Sequence, residues 1–463
     1  MSLRDQILRG GTYLIGRQGI GMVLTVVGVI LLTRAIGPEA YGLYAGPLGV
    51  YTFLWILLQW GIQVYLIRSE GELQDQDYHQ GFTLLLLLGL VGTVLASLTL
   101  PLIVHLTGVE GFGPVAFALF AGLPVTLLLR VPEARLERAL DYRRVALAGL
   151  SGQIAYYLTA LTLAYFLGLG AWAPVAGWWA QQLLTAGLLY RMAAYWPRIY
   201  WEPARARAMV AYGLGYSAST WVYHARLLVN PLVVGRFAGA EAVGYVALAI
   251  RLVENLSFAK EMGWRISIAA MGRLQSERTR LISALSQGMQ LQVLAVAPFL
   301  TGFALVGPWI IPPLFGSDWN PVLEIYPFIA LGYLANSIFS LHSSVLYVLK
   351  RNWDVTIFHL VHIGLFAGGA FLLVSWVGTV GYGWAEVLAL ASYVVIHLYV
   401  VKEVGRPSYR LAVTWVVASA LVLFWQELGW VAILGVVGIV LWPETWRAVA
   451  GYAKDLRRAL LSG

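Results

Sequence analysis

The 463-residue chain is 59% hydrophobic and only 12% charged, with a net charge of +8 at pH 7 and no cysteine. Soluble domains carry roughly 45–50% apolar and about 25% charged residues. This composition therefore excludes a soluble enzyme, a disordered chain and a nucleic-acid binder, and the missing cysteines exclude disulfides, thiolate catalysis and Cys-ligated metals.

The basic start MSLRDQILRGGTYLIG runs into an apolar stretch without a small-x-small cleavage site. It is read as opening a first transmembrane helix rather than as a signal peptide. Spans of about 20 apolar residues then fall at 13–34, 43–65, 82–104, 114–130, 146–168, 174–191, 212–234, 245–267, 284–306, 325–347, 355–377, 382–401, 411–425 and 430–446. The fold class is thus an all-α integral membrane protein of about 14 transmembrane helices. RVPEARLERALDYRR, between the fourth and fifth spans, reads as an amphipathic interfacial helix. The longest loop on the opposite side, 307–324, is shorter than a domain, so function must sit in the bundle.

An even number of spans puts both termini on one side. Of the 31 Lys and Arg, 24 fall in loops on that side, Arg130 at the end of the fourth span counted among them, two (Arg34 and Arg236) on the other, and five inside spans. The positive-inside rule makes the termini cytoplasmic. Trp309, Trp376, Trp384, Trp430 and Trp442 sit near span ends, where interfacial belts form.

Shifting the chain by 202 residues superposes TRAIGPEAYGLYA (33–45) on GRFAGAEAVGYVA (235–247). Arg34 meets Arg236, Gly37 meets Gly239, Glu39 meets Glu241, and Gly42 meets Gly244. Six spans separate the copies, so the repeat is parallel, about an axis along the membrane normal. The expected organisation is a six-helix bundle over 1–200, a second over 201–402, and an extra helix pair with a cytoplasmic tail over 403–463. Two such halves around a central cavity are a transporter architecture, with the substrate site near the midplane.

LLTRAIGPEAYGLYA after the first span, ERALDYRRVALAGL before the fifth and PPLFGSDWNPVLEIYPFIAL before the tenth occur in order over nearly the whole chain. Together they resemble the polysaccharide flippases, the O-antigen exporters of the multidrug/oligosaccharidyl-lipid/polysaccharide superfamily. The resemblance implies a protein of the bacterial inner membrane that moves undecaprenyl-pyrophosphate-linked oligosaccharide outward by alternating access. It implies two bundles around a cationic cavity, service to lipopolysaccharide or O-antigen synthesis, and partners among membrane lipids, a polymerase and glycosyltransferases.

Ionisable residues at bilayer depth usually face a cavity or a partner. At about 100° per residue, Arg251, Glu254, Glu261 and Arg265 of the eighth span share one stripe, and Lys260 lies opposite. The stripe either lines a watery cavity or forms self-neutralising pairs that fix packing. Its repeat equivalents on the second span are neutral but include Gln59 and Gln63. The seventh span adds Tyr223, His224 and Asn230, with Arg226 beside them, and Asn230-Pro231 should break that helix and free a carbonyl. Arg17 either joins the site or snorkels to the surface. Arg offers a planar fork of donors suited to phosphate oxygens, and these residues are the substrate-binding candidates for the pyrophosphate and sugars that the resemblance implies.

Glu386, and also Glu254, are candidates for carrying a coupling proton; hydrogen bonding of Glu386 to a Ser or Tyr is the alternative. Arg34 and Arg236 either meet the pyrophosphate on exit or cap the carbonyls that end their own helices. His359 and His362 read as packing residues rather than metal ligands, and Gly364-x-x-x-Gly368 as a close-packing site. No Walker A, H-E-x-x-H or Rossmann fingerprint is present, so neither cofactor nor metal is expected. Two other readings are a multidrug exporter of the same fold, which predicts a smaller acidic and aromatic cavity, and a membrane polymerase or ligase, which the short outer loops oppose.

Overall fold

The computed structural model describes residues 3–258, 260 and 271–451, with side chains from Gly19 onward except at 215, 216, 433, 436 and 439. Every element among them is helical. Nine segments are long and apolar enough to cross a membrane. Two are bent in two at a glycine: Leu3–Leu58 at Gly37 gives α1 (3–36) and α2 (38–58), and the segment ending at Leu256 turns at Gly239 from α7 (203–238) into α8 (240–256). The others are α3 (Asp75–Thr107), α4 (Phe112–Arg138), α5 (Tyr142–Leu167), α9 (Arg278–Phe315), α10 (Val322–Val348), α11 (Asn352–Val377) and α12 (Val380–Glu403). With α6 (Trp172–Met192), α13 (Arg410–Leu423) and the short α14 (Ile433–Leu441), fourteen helices follow the order of the expected spans.

Burial is inverted relative to a water-soluble fold. On α3, Leu90, Val94, Leu98 and Leu102 are exposed while Asp77, Gln80, Thr83 and Thr107 are buried. Lipid as solvent explains this, because apolar side chains then gain nothing by burial and polar groups must be satisfied inside. Trp309, Trp376, Trp384 and Trp430 are also exposed near helix ends.

The chain falls into two compact units. One comprises residues 1–248, 312–319 and 367–382; the other comprises 249–311, 320–366 and 383–463. In the first, the repeat is written into the backbone. Gly37 (φ 76°, ψ 172°) and Gly239 (φ 84°, ψ −179°) share one conformation, 202 residues apart. Only glycine enters that region readily. Just beyond each hinge the two copies touch. A Cβ on Gly42 would overlap the carbonyl oxygen of Ala240, and one on Gly244 would overlap that of Pro38. Since 38 and 240, and 42 and 244, are themselves repeat equivalents, the contact is self-complementary, as a two-fold axis demands.

The two arginines follow the same rule. Arg34 donates to the Pro313 carbonyl at 2.6 Å, at the end of α9, and Arg236 donates to the His105 carbonyl at 3.3 Å, near the end of α3. Each therefore caps a helix, as one sequence reading held. It caps not its own helix but the third helix of the opposite repeat, where the helix dipole favours a cation.

A second glycine contact lies further along. Gly61 (φ 64°) leaves no room for a Cβ against Gly213, nor does Gly213 against the Trp60 carbonyl. Trp60 has φ 44°, a left-handed conformation that an aromatic residue rarely adopts. Close approach is thus made by Gly42, Gly244, Gly61 and Gly213. A Cβ at Gly364 or Gly368 would meet no described atom within 4 Å, which corrects the expectation of close packing there.

Within α7, the α-helical stretch Pro203–His224 passes through a 3₁₀ turn, Ala225–Leu228, into a π turn, Asn230–Val234. Pro231 has no N–H for the Leu227 carbonyl, so the helix loosens there as expected. That carbonyl would lie 3.2 Å from a Cβ on Gly49 of α2.

Gly42→Val and Gly244→Val should each cost several kcal/mol, more than the ~1–3 kcal/mol typical of an overpacked core, because the obstruction is backbone. Both strike one contact, so the double variant should cost clearly less than the sum. Gly364→Ala should be silent. Thermal unfolding of detergent-purified protein checks all three; additive costs would disprove a shared contact.

Candidate functional site

Polar side chains inside the two units gather around aromatic rings. In the second unit, α8 stops at Leu256 and the chain turns at Ser257, whose N–H bonds back to the Val253 and Glu254 carbonyls. Lys260 N then donates to the Ser257 carbonyl at 2.9 Å. This turn defeats the uniform 100° count that set Lys260 opposite the stripe. Lys260 is instead 7% exposed, with its Nζ 4.4 Å from the ring centre of Tyr333 on α10. The Tyr333 hydroxyl donates to Glu254 Oε1 at 3.2 Å. Glu254 and Lys260 therefore converge on one tyrosine. Arg251, on α8, is exposed. Glu261 and Arg265 lie outside the described residues.

Glu386 on α12 approaches the same helix. Its Oε2 would stand 3.3 Å from a Cβ on Gly332, so the glycine leaves the carboxylate its space. His362 Nδ1 bonds Ser392 Oγ at 2.9 Å, and His359 stacks beside Phe358. Among the described residues no group of three or more His, Asp or Glu could hold a metal ion.

In the first unit, Arg226 lies over Tyr223, 5.6 Å from its ring centre, and His224 meets the same ring edge-on at 5.0 Å. Asn230 is buried and donates to the Val243 carbonyl at 3.2 Å, tying α7 to α8; its Oδ1 is buried without a partner. Just past α2, Gln59 folds back to the Trp55 carbonyl at 3.4 Å, and Gln63, in the short helix Ile62–Arg68, donates to Glu133 Oε2 at 3.4 Å. The Arg17 side chain lies outside the described ones.

Sequence reasoning missed Arg130. Counted as a loop cation, it instead stands half-buried inside α4, which continues past it to Arg138 with Val131, Pro132, Ala134 and Leu136 buried. Arg130 pairs with Glu133 at 2.6 Å and lies 5.1 Å over the Trp55 ring. The missed signal is the Arg-x-x-Glu spacing, which keeps both charges on one helical face. Arg130, Glu133, Trp55, Gln59 and Gln63 thus give the α2 face the charge that it lacks in isolation.

Where α1 and α7 end, a cleft of about 420 Å³ is lined by Ile36, Gly37, Pro38, Glu39, Ala40, Leu43, Glu241 and Asp318. The Tyr245 hydroxyl donates to Glu241 at 2.5 Å, and Tyr41 and Tyr245 both lie edge-on to the buried Trp319.

Three comparisons bear on this arrangement. A family model described as "Polysaccharide biosynthesis protein" matches residues 31–324. The chain is 20% identical over 416 residues to the lipopolysaccharide biosynthesis protein WzxC of Escherichia coli strain K12, covering 89% of this chain and 84% of that protein. It is 25% identical over 215 residues to the teichuronic acid biosynthesis protein TuaB of Bacillus subtilis strain 168, covering 43% and 44%. Among solved structures, the lipid II flippase MurJ in an inward closed conformation superposes with a TM-score of 0.70 at 13% identity over 96% of this chain and 99% of that one. An inward-facing multidrug transporter of the MATE family gives 0.65 at 17% over 84% and 98%. These likenesses show that the fold is one shared with a lipid II flippase and a multidrug transporter.

Tyr333→Phe keeps the ring under Lys260 and removes the hydroxyl from Glu254, which should cost about 1 kcal/mol. Tyr333→Leu removes both interactions and should cost at least about 1 kcal/mol more, given that a desolvated cation–π contact is worth about 2 kcal/mol. Lys260→Ala should likewise be destabilising. Equal unfolding temperatures for Tyr333→Phe and Tyr333→Leu would show that Lys260 gains nothing from the ring.

Proposed function

The chain belongs to the polysaccharide biosynthesis protein family, and from that premise we propose that it flips undecaprenyl-pyrophosphate-linked oligosaccharide from the cytoplasmic to the outer leaflet of a bacterial inner membrane by alternating access. The observation that carries this reading is that three cations set within helical spans each stand over an aromatic ring: Arg130 over Trp55, Arg226 over Tyr223 and Lys260 over Tyr333. A ring face stabilises a cation at bilayer depth and leaves its sign unchanged, while Arg130 also pairs with Glu133. A basic, ring-rich interior suits a cargo that carries phosphate negative charge and sugar rings. The cationic cargo of a multidrug exporter would meet repulsion there. A polymerase or ligase would need reactive groups on a large outer loop, and the relatives that share the fold are a flippase and transporters.

In this reading the halves are residues 1–200 and 201–402, with 403–463 as an added pair, and both termini are cytoplasmic. Arg251 supplies the guanidinium fork for the pyrophosphate, supported by Arg265, Arg226 and Arg17. Glu254 and Glu261 hold the cations when no cargo is bound. Arriving pyrophosphate competes with these carboxylates, and that difference in interaction is what shifts a two-state transporter. Tyr223, His224, Asn230, Gln59 and Gln63 contact the saccharide and its diphosphate, and Glu386 with Glu254 takes part in coupling. The partners are the lipid-linked oligosaccharide, membrane lipids, and the polymerase and glycosyltransferases that consume and make the cargo.

Arg251→Ala should abolish complementation of a flippase-null strain while the protein still inserts and accumulates. Arg251→Lys should rescue only in part, because the charge remains but the fork is lost. Normal export by Arg251→Ala would remove it from the site.

Orientation is tested separately. Reporter fusions at Gly108 and Asp318 should read outside, and those at Arg138 and Arg278 inside; a cytoplasmic signal at Asp318 would reverse the reading.

A further inference from the structure

The second unit holds a cluster that the cargo site does not use. His342, on α10, is fully buried. Its Nε2 lies 2.5 Å from the hydroxyl of Tyr409, in the connection before α13. The same hydroxyl lies 2.7 Å from Nδ1 of His397 on α12, which is partly exposed. One phenol thus bridges two imidazoles from two other helices. The connection is anchored by a bond from Ser408 N to Ser286 Oγ at 3.0 Å on α9. His342 and Tyr409 are stacked at 16° with ring centres 5.7 Å apart. His342 Nδ1, on the far side of the ring, is buried without a well-formed hydrogen bond, facing the Ile338 carbonyl one turn away.

A phenol has one hydrogen and an imidazole nitrogen either gives or receives. Between two neutral histidines the hydroxyl can donate to only one, so the other must present an N–H. The chain N–H···O–H···N is thereby forced, and a hydrogen-bonded chain of this kind passes a proton by short shifts. Resting on the flippase reading above, we propose that His397, Tyr409 and His342 form a proton-binding relay, which admits the coupling proton from the α12–α13 connection to the interior of α10.

The shifts balance. His397 starts with hydrogen on Nδ1 and His342 with hydrogen on its own Nδ1. A proton from solvent binds His397 Nε2 and makes it an imidazolium. Its Nδ1 hydrogen passes to the Tyr409 oxygen as the Tyr409 hydrogen passes to His342 Nε2. His397 is left neutral, Tyr409 is unchanged, and His342 is the imidazolium. The proton rests on His342, with Nδ1 facing the Ile338 carbonyl, and returns to solvent by the reverse shifts.

The direction inward follows from what lies along α10. Asn336 donates to the Tyr393 hydroxyl at 3.0 Å, and Tyr393 is stacked on Phe339, which touches His342. One turn further, Tyr333 meets Glu254 and Lys260, and Gly332 faces Glu386. The other groups facing the relay are Arg406, which acts on both His397 and Tyr409, His362 and His359 of α11 around Tyr393 and Phe358, and Lys402 and Glu403 in the last turn of α12, where Glu403 is paired with Arg351. The α9 neighbours Gln292 and Ser286 are neutral. Burial raises the Tyr409 hydroxyl above its ordinary value against the pull of Arg406, so the bridge keeps its hydrogen throughout the physiological range.

Two measurements test the relay, one of them independent of cargo. The full chain in nanodiscs, carrying ¹⁵N-labelled histidine, should show His342 and His397 titrating as a coupled pair with shared midpoints. Tyr409→Phe, which keeps the ring and removes the bridging oxygen, should make them titrate independently. In proteoliposomes loaded with lipid-linked oligosaccharide, the flipping rate that an imposed pH gradient adds should fall about a hundredfold in Tyr409→Phe, the scale of losing a positioned proton donor. His342→Gln should do the same, with unfolding temperatures confirming that both variants fold. Independent titration in the natural chain, or an unchanged gradient response in Tyr409→Phe and His342→Gln, overturns the relay. Coupled titration in a protein that moves no oligosaccharide leaves the relay standing and refutes the flippase reading.

Discussion

The constraint on which the first unit depends is that two copies of one turn must meet backbone to backbone. At Gly42 and Gly244 each chain presses on the other's carbonyl at the equivalent of its own position 38, so neither site tolerates a side chain. Such a contact fixes the rest. The hinges at Gly37 and Gly239 must share one conformation open only to glycine, because any difference would take one copy off the axis. The arginines that precede the hinges then project across the axis rather than along their own helices. That is why Arg34 reaches the end of α9 and Arg236 the end of α3. A helix end leaves carbonyls without a partner inside the helix. Each repeat thus completes the hydrogen bonding of the other.

Within the bundle a different rule governs charge. Lipid offers no hydration, so a cation is held either by a carboxylate or by a ring. Arg130 has both, in Glu133 and Trp55, and Lys260 and Arg226 each lie over a tyrosine. A ring stabilises a cation more weakly than a buried carboxylate does, and leaves its field intact for a third group. Truncating a ring then removes support without creating an uncompensated negative charge.

Much of this was legible in the sequence. Apolar runs of span length gave the helix count, since in lipid a backbone must satisfy itself. The repeat at an offset of 202 pointed to the matched turns at Gly37 and Gly239 before any coordinate did. What escaped was set by interruptions and by distant contacts. A uniform helical period cannot foresee that α8 ends at Leu256, so Lys260 was assigned the wrong face. Charge counting placed Arg130 in a loop because it closes an apolar run, yet α4 continues past it. The target of Arg34 is 279 residues away, beyond the reach of any local rule. The same holds for Tyr409, which belongs to a loop in sequence and to a buried network in space. Gly364 and Gly368 fit the small-residue spacing, but that spacing states what is permitted and not what is used.

The composition of the seal bears on how such a protein would move. A contact made by glycine Cα atoms and carbonyl oxygens is short-ranged, so it is lost over a small displacement, and its carbonyls remain engaged in their own helices once it opens. The arginine caps behave otherwise. When Arg34 leaves the Pro313 carbonyl, both groups need water or another partner, and at a membrane surface water is at hand. Opening at this end therefore costs packing but strands no buried polar group. In the second unit, separating Tyr409 from His342 would leave a wholly buried imidazole with neither nitrogen satisfied, which is expensive. The Arg34 and Arg236 contacts can thus be exchanged for water at little cost, whereas the Tyr409–His342 contact cannot. A ligand shifts an equilibrium between two arrangements only by the difference in its free energy of interaction with them.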